Sequence, residues 1–98
     1  MTDLHRRIDE ALGLTPFMRA VYHIVAVIPR GRVMTYAQVA RAIGHPNAVR
    51  AVGTALNRNP FAPAVPCHRV IRSDGTIGGF AGGTRKKTAL LRRERAVR

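Results

Sequence analysis

The only cysteine of the chain, Cys67, lies in the stretch Val65–Val70, which reads VPCHRV. A cysteine thiolate is a strong nucleophile, and neighbouring cations stabilise it. His68, Arg69 and Arg72 supply such cations close to Cys67 in the sequence, and a proline on its N-terminal side stiffens the backbone. A lone cysteine is also a common small core residue. The stretch therefore leaves two interpretations open, a reactive thiol or a buried residue beside polar neighbours.

Glu94 is the second residue whose type and position suggest a chemical role. The pattern predicts a last helix over residues 84–95, on which Glu94 shares an inward face with Leu90, Leu91 and Lys87. Burying a carboxylate is costly unless it is paired. Glu94 could form an ion pair with one of the many arginines, or it could orient His68 as the base that activates the thiol.

Two short helices are predicted in the middle of the chain. Thr35 and Gln38 have the spacing of a capping box, Gly44 suits the closing turn, and Asn47 is the predicted N-cap of the second helix. The predicted inward residues are Val39, Ala42, Ile43, Val49, Val52 and Leu56. Such a pair is typical of a helix-turn-helix, although many proteins that do not bind DNA contain one. Arg50, on the second helix, is either an exposed charge or a side chain that enters a nucleic-acid groove.

Two further helices are predicted before this pair. Thr2 is the predicted cap of the first, and Thr15–Pro16 supplies the N-cap and first turn of the second, which ends at Pro29. The apolar residues at helical spacing are Leu4, Ile8 and Leu12 in the first helix and Phe17, Val21, Ile24, Val25 and Ile28 in the second.

The segment after the helix pair has a different pattern. Three closely spaced prolines exclude a helix. Val70–Ile71 and Thr76–Ile77 flank a Ser-Asp-Gly turn and predict a short β-hairpin, and the stretch GGFAGG predicts a glycine-rich loop. The predicted fold class is α+β, mostly α: a single winged-helix-like domain over residues 1–98, with a helix-turn-helix and a short β-hairpin.

The charge of the chain points to a polyanionic partner. Seventeen lysines and arginines face five acidic residues, for a formal net charge of +12 in 98 residues. A small basic domain of this kind is most often a nucleic-acid-binding domain. No apolar run is long enough to cross a membrane, the N-terminus does not have the pattern of a secretory signal, and we expect no membrane partner.

Cysteine and histidine usage excludes other classes. A single cysteine cannot form an internal disulfide, and the four histidines show no metal-ligand spacing, so we expect neither a metal nor a cofactor. A reducing, cytoplasmic location follows as an expectation, in association with the nucleoid, or in the nucleus of a eukaryote.

Several motifs together resemble one known family, the O6-alkylguanine-DNA alkyltransferases. The stretches VMTYAQVA, NAVRAVGTALNRNP, PCHRV, GGFAGG and KKTALLRRE occur in the family's order and at close to its spacings. The resemblance covers roughly Thr15 to Glu94, which corresponds to the C-terminal catalytic domain of the family. It implies a monomeric protein that flips O6-alkylguanine out of duplex DNA and transfers the alkyl group to its own cysteine in a single turnover.

The resemblance also implies roles for individual residues at the reacting centre. Cys67 would accept the alkyl group, His68 would act on it through a water, and Glu94 would hold His68. Asn59 would tie the turn that carries the cysteine to the helix-turn-helix. The residues implied near the substrate base are Tyr36, Val65, Val70, Phe80, Ala81 and Lys87.

The implied DNA contacts lie mainly on the second helix of the pair. Tyr36 would contact the phosphate on the 3′ side of the target nucleotide, and Arg50 would occupy the space left by the flipped base. The other implied contact residues are Ala48, Ala51, Thr54 and Arg58, and the small alanines permit close approach to the backbone.

Departures from the family pattern keep alternatives open. The family's usual N-terminal domain is not expected here, since residues 1–14 form only a short extension before the shared region. The loop position that is commonly tyrosine is Phe80, and the next, often serine, is Ala81. Alkyltransferase-like proteins share this domain, bind the same lesions without transfer and signal to excision-repair proteins, but typically have tryptophan or alanine at the position of Cys67. An ordinary winged-helix regulator is a third alternative.

Overall fold

The computed structural model describes residues 3–61, 64–73 and 84–94, without the side chains of residues 84–86. Within these ranges the helices are α1 (Asp3–Glu10), α2 (Pro16–Ala26), α3 (Tyr36–Ala42), α4 (Val49–Asn57) and α5 (Thr84–Arg93), with a 3₁₀ turn at Cys67–Arg69. The strands are β1 (Met34–Thr35) and β2 (Val70–Ile71). The fold is α+β and mostly helical, as predicted.

Local capping signals set the starts of α2 and α3. The Thr15 hydroxyl accepts a hydrogen bond from the N–H of Met18 at 3.1 Å, and Pro16 occupies the first turn. In α3 the capping box is complete, since the Thr35 hydroxyl accepts from the Gln38 N–H at 3.0 Å and the Gln38 amide oxygen accepts from the Thr35 N–H at 2.8 Å. Both arms satisfy backbone donors that the first turn leaves unpaired. The predicted capping box therefore fixes where Tyr36 begins its helix.

Other predicted details of the helices are wrong. The N-cap of α4 is Ala48, which makes no side-chain capping bond, and not Asn47. In α3 the buried alanine is Ala40, whereas the predicted inward Ala42 is exposed. Leu12 lies beyond the end of α1 and is 96% exposed, because the helix stops before the third predicted apolar position. Val49 was also predicted to face inward but is exposed.

The core joins α1, α2, α3, α4 and the segment that carries Cys67. Its fully buried members include Ile8 of α1, Val25 of α2 and Val52 of α4. Tyr22 is also fully buried, and its hydroxyl donates to the carbonyl oxygen of Ala55 in α4 at 2.7 Å, which satisfies the phenol inside the core. These contacts fix α4 against the centre of the molecule.

The N-terminal helix α1 is attached to α2 by polar as well as apolar contacts. The rings of His5 and His23 stack with their centroids 4.8 Å apart, and His23 Nε2 lies 2.7 Å from Asp9 Oδ1. The Arg7 guanidinium lies 5.8 Å from the centre of the Phe61 ring, within the range of a cation–π contact. α1 thus reaches the segment that precedes the cysteine.

The two strands pair in parallel, with Met34 opposite Val70 and Thr35 opposite Ile71. The sequence predicted instead that Val70–Ile71 pairs with Thr76–Ile77 in a hairpin, and that second strand lies outside the described residues. The observed pairing places the segment around Cys67 beside the start of α3. Among the described helices, none is both long and apolar enough to cross a bilayer.

Candidate functional site

The thiol of Cys67 lies at the start of the 3₁₀ turn and is 6% exposed. The Cys67 N–H donates to the carbonyl oxygen of Val65 at 2.8 Å, and the side-chain N–H of Asn59 donates to the same oxygen at 2.9 Å. The side-chain oxygen of Asn59 accepts from the N–H of Phe61 at 2.8 Å. One amide side chain thereby fixes two points of the segment that leads to the cysteine.

Burial dominates the electrostatics of the thiol, so the pKa of Cys67 is raised overall although several neighbouring groups favour the thiolate. Burial raises the pKa of the Cys67 thiol, whereas a hydrogen bond from the Asn59 side chain and the positive charge of Lys87 lower this pKa. The sequence predicted that His68, Arg69 and Arg72 would supply the positive surroundings. The cation that acts on the thiol is Lys87, which is 20 positions away along the chain and arrives on α5.

Glu94 follows the last residue of α5 and binds two partners from the 3₁₀ turn. Its Oε1 lies 3.1 Å from Nε2 of His68, as predicted. Arg69 donates from Nε to Oε1 at 2.9 Å and from NH2 to Oε2 at 2.6 Å, a bidentate pair, and from NH1 to the carbonyl oxygen of Ile28 at 2.8 Å. These bonds, chiefly that of Arg69, lower the pKa of Glu94 to about 2 against burial. The carboxylate is therefore ionised at neutral pH and can hold the imidazole in one orientation.

Lys87 is fully buried, as predicted from its place on the α5 face with Leu91. Its Nζ donates to the carbonyl oxygen of Val70 and to the hydroxyl of Tyr36, the latter at 3.3 Å, and lies 5.4 Å from the centre of the Tyr36 ring. Burial lowers the pKa of Lys87 to about 8, opposed by Cys67 and assisted by Arg72. Lys87 thus hydrogen-bonds to the first residue of β2 and to the first residue of α3, and its charge also acts on the thiol.

A cleft of about 580 Å³ opens between α4 and the ends of the two strands. It is lined by Tyr36, Val49, Arg50, Gly53, Thr54, Asn57 and Arg72. Three predicted site residues, Tyr36, Arg50 and Thr54, therefore meet here. The cleft is cationic, and none of its described lining residues is acidic.

The remaining predicted residues fall into three groups. Ala48 caps α4, Ala51 is exposed on it and Arg58 is exposed at its end, and none of the three lines the cleft. Val65 and Val70 are fully buried on either side of the 3₁₀ turn. The predicted residues Phe80 and Ala81 lie outside the described part of the chain.

The sequence allowed an arginine as the partner of Glu94 but did not identify Arg69 as that arginine, and it did not predict Arg72 in the cleft. Arg69 was treated as one of several cations beside the thiol, but it clamps Glu94, and Arg72 lies in the cleft rather than at the sulfur. The alternation of side chains around β2 could have separated the two arginines. The choice of Arg69 among 17 basic residues as the partner of Glu94 has no local signal.

The described residues contain no group of three or more histidine, cysteine, aspartate or glutamate side chains placed to hold a metal ion. What they do contain is a buried cysteine between an amide and a lysine, a histidine held by a carboxylate, and a cationic cleft. The protein is thus an α+β protein with two features that can serve a function. One is the buried thiol of Cys67 next to the His68–Glu94 pair, and the other is a cationic cleft that can bind a polyanion.

The chain belongs to a family of DNA-repair methyltransferases. Residues 16–96 match the family model described as 6-O-methylguanine DNA methyltransferase, DNA binding domain.

Two relatives illustrate the extent of the similarity. The methylated-DNA–protein-cysteine methyltransferase of Salmonella typhimurium is 49% identical over 87 residues, which is 89% of this chain and 51% of the relative. The crystal structure of Mycobacterium tuberculosis OGT in complex with DNA superimposes with a TM-score of 0.82 at 43% identity, covering 85% of this chain and 52% of that one. The chain thus spans about half the length of these relatives.

A third relative is shorter. The crystal structure of Schizosaccharomyces pombe (S. pombe) Atl1 in complex with damaged DNA containing O6-carboxymethylguanine superimposes with a TM-score of 0.74 at 37% identity. The match covers 85% of this chain and 79% of Atl1.

Proposed function

We propose that this protein repairs duplex DNA by transferring the alkyl group of O6-alkylguanine to the sulfur of Cys67 in a single turnover. The observation that carries the proposal is the position of the thiol. Cys67 is buried, lies in a segment that the Asn59 side chain ties down, and is next to the His68–Glu94 pair. The Asn59 amide and the Lys87 charge both lower the pKa of its thiol. A core cysteine with a purely structural role has no need of these polar neighbours.

The thiol must first lose its proton. Because His68 Nε2 is bonded to the Glu94 carboxylate, the other ring nitrogen, Nδ1, is the one that can accept a proton, directly or through a water. The ionised Glu94 stabilises the imidazolium that forms. Lys87 stabilises the thiolate by charge, and Asn59 does so by its hydrogen bond.

The transfer itself is a displacement at the alkyl carbon. The thiolate sulfur forms a bond to that carbon while the bond from carbon to guanine O6 breaks, and its electron pair stays with the guanine. The departing guanine takes up one proton and becomes ordinary guanine. The thioether on Cys67 is stable, so each protein molecule acts once, and no cofactor takes part in the balanced reaction.

The cleft supplies a route for the DNA. A base inside a duplex cannot reach a buried thiol, so the nucleotide must rotate out at a cost of about a few kcal/mol. We propose that Arg50, which is exposed on α4 at the cleft, enters the duplex and offsets part of that cost, and that Tyr36, which also lines the cleft, contacts the neighbouring phosphate. The net charge of +12 favours this encounter with any duplex.

A second candidate function is damage recognition without transfer. Its support is the similarity to Atl1, whose crystal structure contains damaged DNA with O6-carboxymethylguanine. The match covers 79% of the Atl1 chain. In this function the same cleft and α4 would bind the flipped lesion, Cys67 would stay unmodified, and excision-repair proteins would be the partners.

The variant Cys67→Ala separates the two functions. We expect it to bind a duplex with one O6-methylguanine as well as the wild type does, and to leave all O6-methylguanine in the DNA, measured by chromatography of the hydrolysed bases. The wild type should remove one methyl group per protein molecule. If wild type and variant bind the lesion equally and neither removes it, recognition without transfer is the function.

A further inference from the structure

We propose that Arg72 is a phosphate anchor that, together with Tyr36, holds one backbone phosphodiester of bound DNA at the mouth of the cleft. This proposal rests on one part of the proposed function, namely that the ligand is DNA. It does not depend on alkyl transfer.

The parallel sheet brings the two residues together. Thr35 of β1 lies opposite Ile71 of β2, so the next residues along each strand, Tyr36 and Arg72, leave the sheet side by side at the same end. Both line the cleft. Since the pairing is not local, this neighbourhood is a consequence of the fold.

The electrostatics are consistent with this placement. The charge of Arg72 lowers the pKa of both Tyr36 and Lys87, whose pKa shifts are dominated by burial. Its charge therefore lies within electrostatic range of both side chains. By contrast, Arg69 is bound to Glu94 and to a backbone carbonyl oxygen, and contributes no cation to the cleft.

The chemical class of the ligand follows from the donors. An exposed guanidinium offers a planar fork of N–H groups that matches two oxygens of a phosphate, and a phenol adds one more donor. The other arginine of the cleft, Arg50, lies on the opposite wall on α4. If Arg50 enters the duplex, Arg72 is the other arginine among the described residues that line the cleft, and it can bind the phosphate backbone of the DNA.

The test compares three variants in duplex binding over a range of salt concentrations. Arg72→Gln removes the charge, and Arg72→Lys keeps the charge but removes the fork. Arg32→Gln is the matched control, because Arg32 is an exposed arginine that lines a separate, apolar groove beside α2. Each is measured with an undamaged duplex and with the same duplex carrying one O6-methylguanine.

Arg72→Gln should reduce the slope of log affinity against log salt by about 0.9, the value for one phosphate contact. It should weaken binding of both duplexes by the same factor, and its deficit should shrink about three- to four-fold between 50 and 200 mM salt. Arg72→Lys should keep the slope, and Arg32→Gln should match the wild type. An unchanged slope for Arg72→Gln, or an equal loss for Arg32→Gln, would overturn the proposal.

A second measurement locates the phosphate. Each phosphate near the lesion is replaced in turn by a neutral methylphosphonate. At one position, the replacement should weaken DNA binding by the wild type and leave DNA binding by Arg72→Gln unchanged. The absence of any such position would contradict the proposal. A wild type that binds but does not transfer would refute the proposed function alone, and a wild type that binds neither duplex would refute both.

Discussion

At the scale of single residues, the site depends on how Glu94 divides its two oxygens. One oxygen faces both His68 and Arg69, and the other faces Arg69 alone. Helical spacing predicted that Glu94 needs a partner on an inward face, with an arginine or His68 as the candidates, and Glu94 in fact binds both kinds of partner. The competing arginine makes Glu94 a weaker base toward the imidazole and a more rigid support for it.

The first prediction concerns Glu94 and acid. The pKa of Glu94 is lowered from 4.5 to about 2 in the folded protein, so its carboxylate contributes stability that is present above about pH 4.5 and is lost as the pH falls toward 2. The shift corresponds to about 3 kcal/mol. Glu94→Gln should therefore unfold more easily in urea than the wild type at pH 6, with the difference narrowing steadily between pH 4.5 and 2.

The matched control for that experiment is Asp3→Asn, which removes an exposed carboxylate from α1. It should differ little from the wild type at any pH. A stability gap between Glu94→Gln and the wild type that stays constant from pH 6 to pH 2 would show that the carboxylate is not held as described.

The second prediction concerns Lys87 and the reactivity of the thiol. The Lys87 cation lowers the pKa of Cys67, and its own pKa of about 8 keeps it mostly charged at neutral pH. Lys87→Met keeps a long side chain without the charge, so the rate of Cys67 alkylation by iodoacetamide at pH 7 should fall. Arg92→Met removes an exposed charge from the same helix and should leave this rate unchanged. A rate that is unchanged or higher in Lys87→Met would contradict the role of the cation.

At the scale of secondary-structure elements, the caps that begin α2 and α3 could be predicted from the sequence, whereas the pairing of the two strands could not. The caps at Thr15 and Thr35 and the positive φ of +81° at Gly44 each depend on a few neighbouring residues, and all three were predicted. The pairing of β1 with β2 joins segments more than thirty residues apart, so no local pattern specifies it. The position of Tyr36 beside Lys87 depends on that pairing, and so the sequence alone did not predict it.

The third prediction uses two glycines of the helix pair. A Cβ added at Gly53, within α4, would meet Cε1 of Tyr36 at 3.9 Å, an ordinary contact, and alanine favours a helix interior. Gly53→Ala should therefore raise the free energy of unfolding by about 0.5–1 kcal/mol. Gly44→Ala should lower it, because Gly44 has a φ of +81° and a side chain there is strained despite open space. The free energy of unfolding of both variants is measured by urea denaturation. A Gly53→Ala variant that is less stable than the wild type would mean that the helix cannot accept the methyl group.

At the scale of the whole molecule, the basic charge and the supported thiol belong to one arrangement. The cationic cleft lies where the two strands end, and Lys87 donates both to Tyr36 of this cleft and to the carbonyl oxygen of Val70 at the start of β2. A duplex held at the cleft would therefore present a flipped nucleotide close to the segment that carries Cys67. This proximity would connect DNA binding with the proposed alkyl transfer to Cys67 in a chain of 98 residues.

The most direct test of this account is the mass of the intact protein after incubation with a duplex that carries one O6-methylguanine. An unmodified duplex and the Cys67→Ala variant serve as controls. The account predicts that the wild type alone, and only with the lesion, gains the mass of one methyl group in place of a hydrogen, on the peptide that contains Cys67. An unchanged mass in a protein that still retains the lesion duplex selectively would contradict it.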